Sequence, residues 1–293
     1  MEKIKLEYPI DQYFTWKDVL ATTMEKYSSN SYLEYWKRPE DEHPSSLTYR
    51  QVDIITTSLA QRLESEFKIR GKPVAYLANH SLQYALYLIA FVKLECRLLL
   101  LSPRNSEPAL VDLMNKTNTR VLLYANQFSK VATKVSSHIS DGAFNLVSEV
   151  DIEQALQEEN MAEKSLLASK STSKAQLEDI AMIIHSSGTT GFPKPIYLSN
   201  RYLIMLFDGY NKVYKSIPSP KLLSFAPLFH VMGSALFAMA LTGGTYVFPI
   251  NVSIIKGHLY ATHEDELILL FGSSHLLVIH SRNPFADLKQ TAL

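Results

Sequence analysis

Between Pro73 and Tyr124 the chain alternates short apolar runs with helix-length segments, and this alternation limits the possible folds more than any other feature. Pro73 to Ala78, Arg97 to Leu101 and Arg120 to Tyr124 read as buried strands, too short for helices and rich in Val, Leu and Tyr. Between them, Ser81 to Glu95 reads as a helix capped by Ser81, and Ser106-Glu107-Pro108 opens another that runs to about Thr117. Strands joined in this way run parallel, because a crossover helix returns the chain to the starting end of the sheet. The expected fold class is therefore α/β, built of layered βα lobes with mostly parallel sheets and helices on both faces.

The flanking segments extend this pattern. Thr15 and Asp18 form a capping box ahead of Trp16, Val19, Leu20, Met24 and Tyr27, which recur at helical spacing. Thr48 and Gln51 repeat the device ahead of Val52, Ile55, Leu59 and Leu63, in a helix expected to end near Arg70-Gly71. Asn160 to Gln176 is rich in Ser, Lys and Ala and reads as a surface connection. With 293 residues, the expected division is a first βα lobe over 13–159, a linker over 160–176, a partial second lobe over 177–250 and a divergent or truncated tail over 251–293. The first lobe, Trp16 to about Val147, has its own alternating elements and is expected to fold by itself. The second is expected to expose strand edges after Phe248.

Several function classes are excluded early. Lys plus Arg (29) balance Asp plus Glu (29), and no basic block stands out, so nothing attracts nucleic acid. Hydrophobic residues at 46% and charged residues at 20% are incompatible with a disordered chain. The single cysteine, Cys96, cannot form an internal disulfide and reads as a buried thiol. Met1 to Ile10 lacks a signal-like apolar run, so a reducing, cytoplasmic setting is expected. Leu222 to Leu241 carries no formal charge and has about the length of a membrane span. Pro227, His230 and Gly233 interrupt it, so no span is expected.

The chemistry lies further on. Asp179-Ile180-Ala181-Met182-Ile183-Ile184 reads as a buried strand and delivers His185-Ser186-Ser187-Gly188-Thr189-Thr190-Gly191-Phe192-Pro193-Lys194-Pro195-Ile196. Gly188 and Gly191 permit the backbone geometry that lets N–H groups wrap an anion. Ser186, Ser187, Thr189 and Thr190 add hydroxyl donors, Pro193 stiffens the exit, and Lys194 supplies a positive charge. This composition suits a polyphosphate and exceeds what a flexible Ser/Gly turn requires. A Walker-type loop needs four residues between its glycines and a lysine directly after the second. Here two intervene and Lys194 comes three later, so that motif is excluded. His258, His263, His275 and His280 match no metal template and read as scattered surface residues.

Ser186 to Lys194 resembles the phosphate-binding signature of the adenylate-forming superfamily, which includes acyl-CoA synthetases, peptide-synthetase adenylation domains and luciferases. Leu47-Thr48-Tyr49 resembles the family's early helix entry, and Leu101-Ser102-Pro103 its early strand-end turn. Phe225-Ala226-Pro227-Leu228-Phe229-His230-Val231-Met232-Gly233, followed by Gly243-Gly244-Thr245, resembles its second core segment, so the likeness covers about Tyr13 to Phe248. The variants His185-Ser186-Ser187-Gly188 and Lys194-Pro195-Ile196 are similar to fungal peptide-synthetase-like carboxylic acid reductases, whereas most relatives carry glycine where Pro195 stands.

The resemblance implies the large N-terminal domain of an adenylate-forming enzyme, present in incomplete form. It implies ATP with Mg2+, held by Ser186, Ser187, Gly188, Thr189, Thr190, Gly191 and Lys194. It implies a carboxylic acid substrate activated as acyl-adenylate, with CoA or a carrier domain as acceptor. His230 and Gly233 would border the acyl pocket; on the residues alone, His230 reads equally as a satisfied core histidine. Relatives continue with an Asn-Tyr-Gly-Pro-Thr-Glu-like segment, a Thr-Gly-Asp segment and a small domain with a catalytic lysine. Asn251 to Leu293 holds no counterpart, so no catalytic residue is assigned. Two readings stay open: an ATP-dependent carboxylic acid ligase, weakly active or inactive as a fragment, and a non-catalytic remnant that binds nucleotide or a partner.

Overall fold

The computed structural model describes residues 15–38, 40–41, 43–139, 143–147, 175–186, 191–214, 220–224, 226–230, 233, 235–248, 267–271 and 276–280. The chain begins α1 (Trp16–Lys26), β1 (Ser31–Tyr35), β2 (Ser45–Thr48), α2 (Tyr49–Phe67). It then alternates through β3 (Pro73–Leu77), α3 (Leu82–Lys93), β4 (Arg97–Leu101), α4 (Glu107–Lys116), β5 (Val121–Ala125), α5 (Ser129–Ser137) and β6 (Ala143–Val147). Next come β7 (Ile180–His185), β8 (Pro195–Ser199), α6 (Asn200–Tyr214), β9 (Lys221–Ser224), α7 (Ala235–Thr242) and β10 (Thr245–Phe248), with β11 (Leu267–Phe271) and β12 (Leu276–His280) last.

Local chemistry sets the first boundaries. Thr15 Oγ1 accepts from the Asp18 N–H at 3.4 Å while Asp18 Oδ2 accepts from the Thr15 N–H at 3.0 Å, so both halves of the expected capping box form. Thr48 and Gln51 do the same for α2, at 3.2 and 2.9 Å. That helix stops at Phe67 rather than near Arg70-Gly71. Lys68 turns left-handed at φ 52°, and Glu64 Oε2 accepts the Arg70 N–H at 2.8 Å. The turn lets Ile69 enter the core, where its carbonyl accepts the Cys96 thiol at 3.3 Å. Burial pushes the Cys96 thiol far up, so it stays an inert SH group.

Two mixed sheets result. One has the order β6-β5-β3-β4-β7-β8, parallel except for β8; the other has the order β12-β11-β9-β10-β1-β2, parallel from β11 to β1 with antiparallel strands at both edges. Along β3, Val74 and Tyr76 face one core while Ala75 and Leu77 face another, which is why the strand reads as a continuous apolar run. The outer core is closed by α4 and α5 through Leu110, Leu113 and Val135. On the inner side one contiguous core joins α1, α2, α3, α6 and α7 to residues of both sheets, Leu100 and Ile184 of one and Leu33 and Tyr246 of the other. The α/β fold class with mostly parallel sheets is the one expected.

The expected division at 160–176 does not separate the sheets. Leu33 pairs with Tyr246, and Leu98 with Met182, so segments on either side of that stretch interleave in both. The physical reason is edge satisfaction: the β1–β2 hairpin alone is marginal, and β4 without β7 would leave an apolar strand edge open. Of the strand edges expected to be exposed, that of β9 is covered, because the apolar run Leu267–Phe271 pairs with it in parallel. Most of 160–176 lies outside the described residues. Leu222 to Leu241 divides between β9 and α7, and no described helix is long and apolar enough to cross a membrane.

Lys93 is the one deeply buried cation of the helical layer with a lowered pKa among the described residues. Its ammonium donates to the Asp53 carbonyl (2.6 Å), Asp53 Oδ1 (2.6 Å) and Thr57 Oγ1 (2.7 Å). Burial lowers its pKa to about 8 against the pull of Asp53. The cluster ties α3 to α2.

Candidate nucleotide-binding site

In open α/β sheets, ligands bind outside the carboxyl ends of the parallel strands. The glycine- and hydroxyl-rich loop lies at the carboxyl end of β7, and β8 carries the chain back beside β7 with His185 paired to Pro195. The loop is closed at its base. The Ser186 N–H donates to the Lys194 carbonyl (3.1 Å), and the Lys194 N–H donates to Ser186 Oγ (3.0 Å). Lys194 is exposed and engages no carboxylate among the described residues, so its charge is available to a ligand. Pro195 contributes no N–H, which β8 tolerates because it is an edge strand.

Of the residues expected to hold the phosphates, Ser186 and Lys194 are thus brought together at the loop base and Gly191 is exposed, while Ser187, Gly188, Thr189 and Thr190 lie outside the described residues. His230 and Gly233 lie across the inner core. The His230 N–H donates to the Pro227 carbonyl (3.0 Å), and the Gly233 N–H to the His230 carbonyl (2.7 Å), which curls the segment tightly. A Cβ on Gly233 would sit 2.3 Å from Leu228 Cα, so only glycine fits. Both residues line a narrow apolar pocket with Leu88, Ile184 and Phe237 that encloses only about 10 Å³. His230 is half-buried, and burial holds its pKa below the ordinary histidine value, with His185 and Arg104 acting in the same direction.

That electrostatic link leads to His185 and its partners, to which the sequence assigns no role in the site. His185 accepts the Ser102 N–H on Nε2 (3.2 Å), with the Asn105 amide also near Nε2 (3.3 Å). Ser102 and Asn105 belong to the turn that leaves β4, the strand beside β7. The turn Leu101-Ser102-Pro103 was visible in the sequence, but only strand pairing reveals that it abuts the loop. His280 ends β12, and His258, His263 and His275 lie outside the described residues. Among the described residues, no cluster of His, Cys, Asp or Glu could hold a metal ion.

A cavity of about 670 Å³ lies elsewhere, at the amino ends of β3, β4 and β7, lined by Arg70, Arg97, Lys17 and Glu95. Volume alone would favour it. Its lining contains no phosphate-type loop, and Lys17 is already paired with Glu95 at 3.4 Å, so the chemistry favours the loop end.

Comparison with known proteins identifies the family. The family model of the AMP-binding enzyme matches residues 22–264. The nonribosomal peptide synthetase verP of Clonostachys rogersoniana is 26% identical over 209 residues, covering 71% of this chain and 10% of that protein. An adenylate-forming reductase of Aspergillus terreus is 24% identical over 257 residues, covering 81% of this chain and 23% of that protein. The chain therefore spans less than a quarter of the length of either relative. The fold matches the luciferase-like enzyme of the nonluminescent Zophobas morio mealworm with a TM-score of 0.69 at 18% identity, over 97% of this chain and 78% of that one. It matches the O-succinylbenzoate coenzyme A synthetase of Bacillus subtilis, solved with ATP and magnesium ion, with a TM-score of 0.62 at 21% identity, over 84% and 62%. With the family model matching most of its length and the glycine loop at the expected strand end, this chain belongs to the AMP-binding enzyme family, within the adenylate-forming superfamily.

Proposed function

We propose that the chain binds ATP at the 186–194 loop and activates a carboxylic acid as its acyl-adenylate. The observation that carries this reading is the loop between β7 and β8, pinched shut by Ser186 and Lys194 at the carboxyl end of a parallel sheet. In the reaction, a carboxylate oxygen attacks the α-phosphorus, the bond from that phosphorus to the β-bridging oxygen breaks, and pyrophosphate leaves. Lys194 and the loop N–H groups would neutralise charge growing on the leaving pyrophosphate. Mg2+ would arrive with the nucleotide, since it is commonly held by phosphates, water and few protein groups. It would add charge neutralisation on the phosphate oxygens. The apolar pocket beside His230 and Gly233 would receive the acyl group after widening, and CoA or a carrier thiol would accept it. A cytoplasmic setting is part of the proposal and rests on Cys96, a buried free thiol.

The test is a pyrophosphate-release assay on the chain with a panel of carboxylic acids, together with calorimetric titration of ATP and Mg2+. Acid-dependent release, with ATP binding weakened in a Thr189→Ala, Lys194→Ala double variant, is the expected result. Equal ATP affinity in that variant and the wild type would sink the reading. ATP binding without release would favour a nucleotide-binding role without turnover, a role consistent with the small acyl pocket.

A further inference from the structure

The His185 imidazole, 6% exposed, joins the turn that leaves β4 to the base of the loop that leaves β7. Its Nε2 lies 3.2 Å from the Ser102 backbone nitrogen. A backbone N–H can only donate, so Nε2 is an acceptor and the ring proton sits on Nδ1. Nδ1 in turn lies 3.0 Å from the Ser186 carbonyl oxygen, which can only accept, so one neutral tautomer satisfies both sides. The Asn105 amide, 3.3 Å from Nε2, presents its NH2 to the same lone pair. Those donors are held in place, because Asn105 N–H donates to the Ser102 carbonyl (3.1 Å) and Arg104 N–H to Ser102 Oγ (3.3 Å).

Ser186 is also the residue from which the loop springs and to which Lys194 returns. We propose that His185 is a positioning residue for nucleotide binding: its neutral Nδ1–H form docks the Ser102–Asn105 turn against the loop base, and protonation releases that turn and weakens triphosphate binding. The proposal rests on reading the 186–194 loop as the phosphate site. A proton on Nε2 would set an N–H against the Ser102 N–H, which has no lone pair to offer. Among the described residues, no carboxylate supports an imidazolium at this position. His230 is within electrostatic reach and cationic when charged, and Lys194 closes the loop opposite Ser186 through its backbone. The nearest carboxylate along the β4 turn, Glu107, is bound by Lys134 Nζ at 2.8 Å. Burial accordingly lowers the pKa of His185, with the Ser186 carbonyl pulling it the other way.

The experiment is calorimetric titration of the full chain with ATP and excess Mg2+ at pH 7.5 and 5.5, for wild type, His185→Leu, His185→Gln and Lys194→Ala. Titration of ATP itself is common to all four proteins and cancels in their affinity ratios. His185→Leu should bind about tenfold more weakly at pH 7.5, the scale of one lost hydrogen bond at a positioned site. His185→Gln should recover most of that loss, because its amide oxygen can accept the Ser102 N–H. Both variants should lose the extra weakening that wild type shows at pH 5.5. Nitrogen-15 imidazole shifts of wild type should report the Nδ1–H tautomer, and this reading stands even if His185→Leu does not fold. Wild-type affinity and pH ratio in His185→Leu, or an Nε2–H tautomer, would overturn the proposal. If Lys194→Ala binds ATP as wild type does, the loop reading itself fails; if Lys194→Ala is weakened and His185→Leu is not, only the positioning role fails.

Discussion

At Gly233 a single hydrogen atom decides the shape of the pocket wall. The 227–233 segment closes on itself through two backbone hydrogen bonds, and Leu228 Cα occupies the place a side chain would need. Gly233→Ala therefore forces the backbone apart and should cost on the order of 1–3 kcal/mol, the range for overpacking a filled site. A lowered thermal midpoint with ATP affinity retained is the expected result, since the phosphate loop is held independently by Ser186 and Lys194. An unchanged midpoint would mean the segment is looser than its hydrogen bonds indicate. Gly233 was singled out through the resemblance of its local Pro-x-x-His-x-x-Gly segment to relatives, and it lines the narrow apolar pocket. His185 was not, since its partners Ser102 and Asn105 are 83 and 80 residues away and meet it only when β7 lies beside β4.

Helix starts were readable for the same reason of locality: Thr15 with Asp18 and Thr48 with Gln51 lie within one turn, so a capping box is written in four letters. What α2 fastens to was not readable. The Tyr49 hydroxyl lies 2.6 Å from the Met239 carbonyl and 2.7 Å from the Gly244 carbonyl, sharing its proton between the end of α7 and the approach to β10. Its ring stacks on Tyr32 at 4.4 Å, so both ends of the side chain are engaged. Tyr49→Phe keeps the stack and removes only the donor. The Met239 carbonyl still accepts the Gly244 N–H at 3.2 Å, which leaves the Gly244 carbonyl to lose its side-chain donor. A destabilisation of about 1–3 kcal/mol follows if that carbonyl stays buried. Urea unfolding should show a lower midpoint with an unchanged slope, whereas a changed slope would point to altered compactness instead.

The order of the strands belongs to the whole molecule, and no local pattern announces it. β1 looks like half of an ordinary hairpin with β2, yet its other edge is taken by β10, with Leu33 opposite Tyr246 across more than two hundred residues of chain. The helical layer is knitted in the same way. Trp16 of α1 meets Phe237 of α7 edge-on at 4.4 Å and Phe207 of α6 at 5.7 Å, and the Trp16 N–H donates to Asn200 Oδ1 at 3.3 Å. A piece ending at Val147 thus keeps its βα alternation but loses β10 beside β1, β7 beside β4 and the aromatic partners of α1. Expressed alone, residues 15–147 should retain far-ultraviolet signal for helix while losing near-ultraviolet signal and binding a hydrophobic dye, the behaviour of a compact chain without fixed packing. Hydrogen exchange would locate the damage: β1 and α1 should exchange freely in the piece and slowly in the full chain, with β3 and β5 the most protected part of the remainder. Supplying residues 175–293 as a separate chain should restore protection at β1, because the missing edge then returns. Slow exchange at β1 in the piece by itself would show that the hairpin and α1 find enough support within the first 147 residues, and that the two sheets are less interdependent than their pairing implies.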